Sequence, residues 1–84
     1  MKNVVTKTKI AIEAENFDQA KTDFTRFEDS WKTVEDGVKA TAPARYTAIE
    51  DAMEAVNKGV KEKNKSNAIA ALESLTKNVE YLDK

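Results

Sequence analysis

The spacing of apolar residues is the feature that most restricts the fold of this sequence, because residues three or four positions apart lie on one side of an α-helix. The clearest stripe has steps of 4, 3, 4, 3 and 4 and consists of Ala20, Phe24, Phe27, Trp31, Val34 and Val38. Asp18 is a suitable N-cap before it, and Pro43 disfavours helical backbone at Ala42. We therefore expect a helix over residues 18–40.

Three further stripes predict three further helices. The stripe after Pro43 predicts a helix over 44–62 and consists of Tyr46, Ile49, Met53, Val56 and Val60. The stripe after Ser66, a suitable N-cap, predicts a helix over 66–82 and includes Ile69, Leu72, Leu75, Val79 and Leu82. A shorter and less regular stripe beginning at Val4 predicts a first helix over 3–14. Only two glycines and one proline interrupt the chain, as is typical of an all-α protein.

The 84 residues suffice for one domain, because 40% hydrophobic content provides one small core. Four amphipathic helices with short connections bury their apolar faces by packing antiparallel, so we expect a single up-down four-helix bundle over 1–84. The first helix is shorter than the others, so part of the groove that it should cover stays open or is filled by a second copy. A three-helix bundle with a pendant first segment is the structural alternative.

Composition excludes most familiar active sites. The chain has no cysteine and no histidine, which removes thiolate chemistry, disulfides and the commonest metal ligand. A net charge of −1 provides no field that would gather nucleic acid. No segment is apolar enough for a transmembrane helix or a signal peptide, so we expect a soluble chain as written. No nucleophile–base pair or phosphate loop is present, and we expect no enzymatic activity.

Carboxylates are the remaining ligands for a metal ion. At about 100° per residue, Glu28 and Glu35 flank the same side of the first long stripe, and Glu50 flanks the next one with Glu54 one turn further on. Oxygen ligands of this kind suit hard cations such as Fe³⁺, Mn²⁺, Ca²⁺ or Mg²⁺. The alternative is that these glutamates are boundary residues that pair with Lys or Arg across helices.

Two other groups of residues have simpler interpretations. The aromatic residues Phe24, Phe27, Trp31 and Tyr46 occupy stripe positions, so we interpret them as core packing rather than as a pocket for a flat ligand. Four lysines near the third connection are interpreted as a solvated surface rather than as a phosphate site, and these are Lys58, Lys61, Lys63 and Lys65.

The segment from Ala14 to Leu82 resembles the extracytoplasmic helical domain of bacterial Ftr-type iron permeases and related periplasmic iron-uptake proteins. Its most distinctive parts are Trp31-x-x-Val34-Glu35 and Tyr46-x-x-Ile49-Glu50. The resemblance implies a periplasmic or extracytoplasmic accessory domain that captures or hands over iron beside a membrane permease. It also implies Glu35 and Glu50 as iron ligands, to which helical geometry adds Glu28 and Glu54.

The sequence departs from the full-length permeases in lacking their membrane helices and their Arg-Glu-x-x-Glu motif, so we expect no transport by this chain alone. The alternative function is a helical structural or protein–protein interaction module that has no metal site and can form a homodimer.

Overall fold

The computed structural model describes the backbone of residues 2–82 and the side chains of residues 4–81. The described residues form four α-helices and no strand, namely α1 (Lys2–Glu13), α2 (Phe17–Thr41), α3 (Pro43–Lys61) and α4 (Lys65–Leu82). Each predicted helix is present, and its ends differ from the predicted ends by at most one residue. None of the described helices is both long enough and apolar enough to cross a membrane.

Two asparagines, rather than the predicted Asp18 and Ser66, cap the second and fourth helices. The Asn16 side chain accepts a hydrogen bond from the backbone N–H of Gln19 at 3.3 Å. Asn64 accepts one in the same way from the backbone of residue 67 at 3.1 Å. Asp18 lies instead inside the first turn of α2, where its negative charge favours the helix N-terminus. Cap prediction failed because several residues near each helix start could serve, and the preceding turn decides among them.

The α1–α2 and α3–α4 connections are the same turn. Glu15 and Lys63 each adopt a left-handed backbone conformation, with φ of 60° and 54°, and each precedes the capping asparagine. The backbone N–H of Asn16 then bonds to the carbonyl of Ala11, and that of Asn64 to the carbonyl of Gly59, each at 2.9 Å. The turns satisfy free carbonyls at the ends of α1 and α3.

The two helical hairpins, α1–α2 and α3–α4, also have their buried residues in the same register. The shift in numbering that takes Asn16 to Asn64 pairs buried residues of the first hairpin with buried residues of the second: Ile12 with Val60, Ala20 with Ala68, Phe24 with Leu72, and Phe27 with Leu75. The same shift takes Lys2, where α1 begins, to Glu50, so the part of α3 before Glu50 has no counterpart in α1. The second hairpin therefore differs from the first in that its first helix, α3, is longer than α1 at the N-terminal end.

The core lies where the four stripes meet. Its largest fully buried side chains include those of Trp31, Phe24 and Phe27, as the stripe on α2 predicted. Contacts join α1 to α2, α2 to α3, α3 to α4 and α1 to α4, which is consistent with the predicted up-down bundle. The molecule extends over 36 Å along its long axis, close to the ~37 Å expected for a 25-residue helix such as α2.

The C-terminal half of α2 departs from the predicted core. Val34 is 39% exposed and Val38 is half-buried, although both continue the apolar stripe. The reason is length: α1 has 12 residues and α2 has 25, so α1 cannot cover all of α2. The prediction that a short first helix leaves part of its groove open agrees with this exposure.

Gly59 allows the closest approach between helices. A Cβ atom built on Gly59 would lie 2.8 Å from the backbone nitrogen of Ala68, whereas one on Gly37 meets nothing within 4 Å. We expect Gly59→Ala to lower the free energy of unfolding, because α3 and α4 must move apart. Gly37→Ala should raise it by about 1 kcal/mol through helix propensity. Urea unfolding of dilute protein measures both, and equal effects of the two substitutions would contradict this packing.

Candidate functional site

Glu50 connects α2 to α3 through two hydrogen bonds. Its Oε2 accepts a bond from Trp31 Nε1 at 3.0 Å, and its Oε1 accepts one from the Tyr46 hydroxyl at 3.3 Å. The Trp31 and Tyr46 rings are stacked with centroids 6.0 Å apart. Trp31 is only 1% exposed, so its indole N–H needs a partner inside the fold, and Glu50 provides it.

Other carboxylates besides Glu50 also act on the Tyr46 phenol. Partial burial raises the pKa of the Tyr46 phenol, and Glu50, Glu35 and Asp36 raise it further because a phenolate beside negative charges is unfavourable. The Glu35 side chain is half-buried and makes no hydrogen bond to the described residues. The Lys39 ammonium, a positive charge, lies 5.6 Å from the centre of the Tyr46 ring. Glu35 and Glu50 therefore act on one phenol from adjacent helices.

The other two predicted ligands lie apart from this group. Glu28 Oε2 accepts a hydrogen bond from the Asn57 side chain at 3.3 Å, which links α2 to α3 nearer the other end of the bundle. Glu54 is exposed on α3. Glu50 is thus hydrogen-bonded to Tyr46, Glu35 raises the pKa of the same phenol, and Glu28 bonds elsewhere, to Asn57.

Among residues 2–82, no group of three or more Asp or Glu side chains is placed to hold a metal ion. The carboxylates that act on Tyr46 are those of Glu50, Glu35 and Asp36, and water would be the source of any further ligands. Mg²⁺ and Ca²⁺ commonly retain water in such sites. The assignment of Glu35, Glu50, Glu28 and Glu54 as metal ligands stays a prediction.

A second polar cluster joins the start of α3 to the end of α4 and escaped the sequence analysis. The Arg45 guanidinium donates a hydrogen bond to Asn78 Oδ1 at 2.7 Å and stacks over the Tyr81 ring, 3.8 Å from its centre. Asn78 is buried and donates in turn to the Ser74 carbonyl at 2.8 Å. The signal available in the sequence was the polar residue Asn78, which lies between the apolar stripe residues Leu75 and Val79. A buried amide needs a hydrogen-bond partner.

The remaining aromatic and lysine predictions agree with the structure. Phe24 and Phe27 stack with centroids 5.4 Å apart inside the core, so they form no open pocket. All four lysines of the predicted solvated surface are exposed.

Comparison of the chain with protein families, with functionally characterised proteins and with solved structures finds no match. The resemblance to iron-permease domains therefore rests on the sequence motifs alone.

Loss of the Glu50 side chain should destabilise the fold. In Glu50→Ala the buried Trp31 N–H loses its acceptor, and we expect the free energy of unfolding to fall by about 1–3 kcal/mol. The matched control is Glu54→Ala, one turn further along α3 on the exposed side, with a change below about 0.5 kcal/mol. Urea unfolding followed by Trp31 fluorescence measures both. Similar losses in the two variants would show that the hydrogen bond contributes little.

The carboxylates should also control the ionisation of Tyr46. Because the folded state raises the pKa of Tyr46, its contribution to stability is complete below the ordinary tyrosine pKa of 10.0 and is lost as pH rises through the folded value. In a Tyr81→Phe background, absorbance of the phenolate reports Tyr46 alone among the chain's two tyrosines. We expect Glu50→Gln to lower the pKa of Tyr46 and Glu54→Gln to leave it unchanged. Coincident titration curves would contradict the assignment.

Proposed function

We propose that this chain is a non-enzymatic accessory domain of iron uptake that binds iron or a similar hard cation through Glu35 and Glu50. The observation that supports the proposal is that Trp31 and Tyr46 hold the Glu50 carboxylate between α2 and α3 by hydrogen bonds. The half-buried Glu35 of α2 lies close enough to raise the pKa of the same Tyr46 phenol. Two negative charges close to one half-buried phenol attract a cation more strongly than isolated surface glutamates do.

The hydrogen bonds of Glu50 are compatible with a ligand role. Each carboxylate oxygen has two lone pairs, so an oxygen that accepts one hydrogen bond still has a lone pair for a cation. Ligating carboxylates are themselves commonly held by hydrogen bonds, which orient them. Trp31 and Tyr46 would hold Glu50 in this way, whereas the Glu35 carboxylate has no hydrogen bond to the described residues that a cation would have to replace.

Weak and exchangeable binding is expected of such a site. Two protein carboxylates and water provide fewer charges than the sites that hold Ca²⁺ tightly. Lys39 competes with a cation for the same negative potential. An ion held in this way can be passed on, as capture or transfer beside a membrane permease would require. A periplasmic or extracytoplasmic location and a permease partner follow from the resemblance and belong to the proposal.

Cation titration tests the proposal. Protein free of metal is titrated with Fe³⁺-citrate, Mn²⁺ and Ca²⁺ while calorimetric heat and Trp31 fluorescence are recorded. We expect saturable binding that is lost in the double variant Glu35→Gln, Glu50→Gln. The matched control is Glu28→Gln, Glu54→Gln, which removes the same charge from the same two helices and should bind as the original chain does.

Two further readouts separate specific binding from general attraction by an acidic surface. A cation between Glu35 and Glu50 should lower the pKa of Tyr46, because it offsets the charges that raise it. Lys39→Gln should tighten binding, because it removes the competing ammonium. Equal loss of binding in both double variants, or no saturable binding of any cation, would overturn the proposal.

A further inference from the structure

Asp23 is a buried carboxylate of α2 that lines an open cleft between α1 and α2. It is only 8% exposed, although aspartate is among the residue types that are least often buried. Its Oδ1 accepts a hydrogen bond from the Gln19 side chain at 3.0 Å. Its other oxygen makes no hydrogen bond to the described residues, and the carboxylate forms no ion pair with them. Since buried charges are normally paired, Asp23 retains an unused acceptor at the cleft.

The α3–α4 hairpin contains an equivalent cleft that lacks this acid. The two clefts have similar volumes, about 500 Å³ between α1 and α2 and about 480 Å³ between α3 and α4. Under the shift that takes Asn16 to Asn64, most residues that line the first cleft correspond to residues that line the second. Asp23 corresponds to Ala71, which is also 8% exposed. The fold therefore accommodates alanine at this position, and packing alone does not explain a charged side chain there.

The other residues of the first cleft add positive charge and an apolar surface. Ile10 and Ala14 line its α1 side, and Ile10 is 61% exposed. Lys7 of α1 and Arg26 of α2 also line the cleft, and both are exposed. The first cleft therefore combines a buried anion, two cations and apolar side chains that face water.

The second cleft does not have this combination. Lys58 and Glu62 stand there at the positions that Ile10 and Ala14 occupy in the first cleft. Its charged residues are exposed, whereas the first cleft has apolar residues at those positions and its acid at the buried one. The same helical hairpin thus forms with either lining, so the lining of the first cleft is free to serve a ligand.

We propose that the first cleft binds a small zwitterion, namely an α-amino acid with an aliphatic side chain. The ligand ammonium donates a hydrogen bond to Asp23, and the amide oxygen of Gln19 is a second acceptor because its N–H is already bonded to that carboxylate. The ligand carboxylate pairs with Lys7 and Arg26. The aliphatic side chain packs against Ile10, which loses its exposure to water.

The charges of the cleft favour a zwitterion over a simple ion. A metal cation or a simple amine meets the positive charges of Lys7 and Arg26, and a simple anion meets the negative charge of Asp23. A ligand that carries both charges pairs each with its opposite. The cleft volume lies within the roughly 300–1,000 Å³ that is usual for small-molecule sites. The cleft includes none of the carboxylates that act on Tyr46, so this site goes beyond cation binding and does not depend on it.

Calorimetric titration with leucine tests the site, and two leucine analogues test its charges. Isocaproate lacks the ammonium group, and isoamylamine lacks the carboxylate group. We expect leucine to bind saturably and each analogue to bind at least about tenfold more weakly. Asp23→Asn keeps the size of the side chain and removes its charge, so it should weaken leucine binding by at least about tenfold. The control Asp51→Asn removes the same charge from an exposed position on α3 and should leave leucine binding unchanged.

Urea unfolding separates a ligand site from a structural role of Asp23. Asp23→Ala reproduces the situation of Ala71, so it should be at least as stable as the original chain while it no longer binds leucine. Leucine should raise the unfolding midpoint of the original chain and not that of Asp23→Ala. A clear loss of stability in Asp23→Ala, no saturable binding of leucine, or equal affinities for leucine and its analogues would overturn the proposal. Cation titration is measured without amino acids, so the two sites fail separately.

Discussion

Burial of the aromatic residues along α2 is the interaction on which the rest of the structure depends. Phe24, Phe27 and Trp31 are each at most 1% exposed and lie on one stripe of α2, the helix that contacts both α1 and α3. Burying such side chains contributes about 1.5–3 kcal/mol each for a residue of Phe size. Trp31 adds a polar requirement, because its indole N–H is buried with the ring. The need to satisfy that group places a carboxylate at the α2–α3 interface.

The carboxylate that meets this requirement also creates the candidate site. Glu50 is held by Trp31 and Tyr46 and faces the region that Glu35 influences from α2. A structural role and a ligand role therefore share one residue, and a substitution at Glu50 alone affects both. Comparing the double variant Glu35→Gln, Glu50→Gln with its control Glu28→Gln, Glu54→Gln separates two effects. One is the effect of charge at the candidate site, and the other is that of charge elsewhere on α2 and α3.

The two proposals concern different parts of α2. Glu35 acts from α2 on Tyr46 of α3, whereas Asp23 lies nearer the α1–α2 loop and lines the cleft beside α1. Glu50 satisfies a buried indole N–H, so packing explains why a carboxylate is present there. Asp23 accepts a hydrogen bond only from the exposed Gln19 side chain, so packing does not explain the second carboxylate. Cation binding and amino-acid binding can therefore be tested, and can fail, independently.

The sequence by itself determined the number, type and approximate ends of the helices, because the three-and-four spacing of apolar residues is local and nothing in the chain competes with it. It also determined most of the core, including Trp31. Only the tertiary structure decided that Val34 is exposed, that Arg45 reaches Asn78, and that Glu35 and Glu50 both act on the Tyr46 phenol. These features depend on the rotation and relative height of adjacent helices, which long-range packing sets and helix periodicity leaves open.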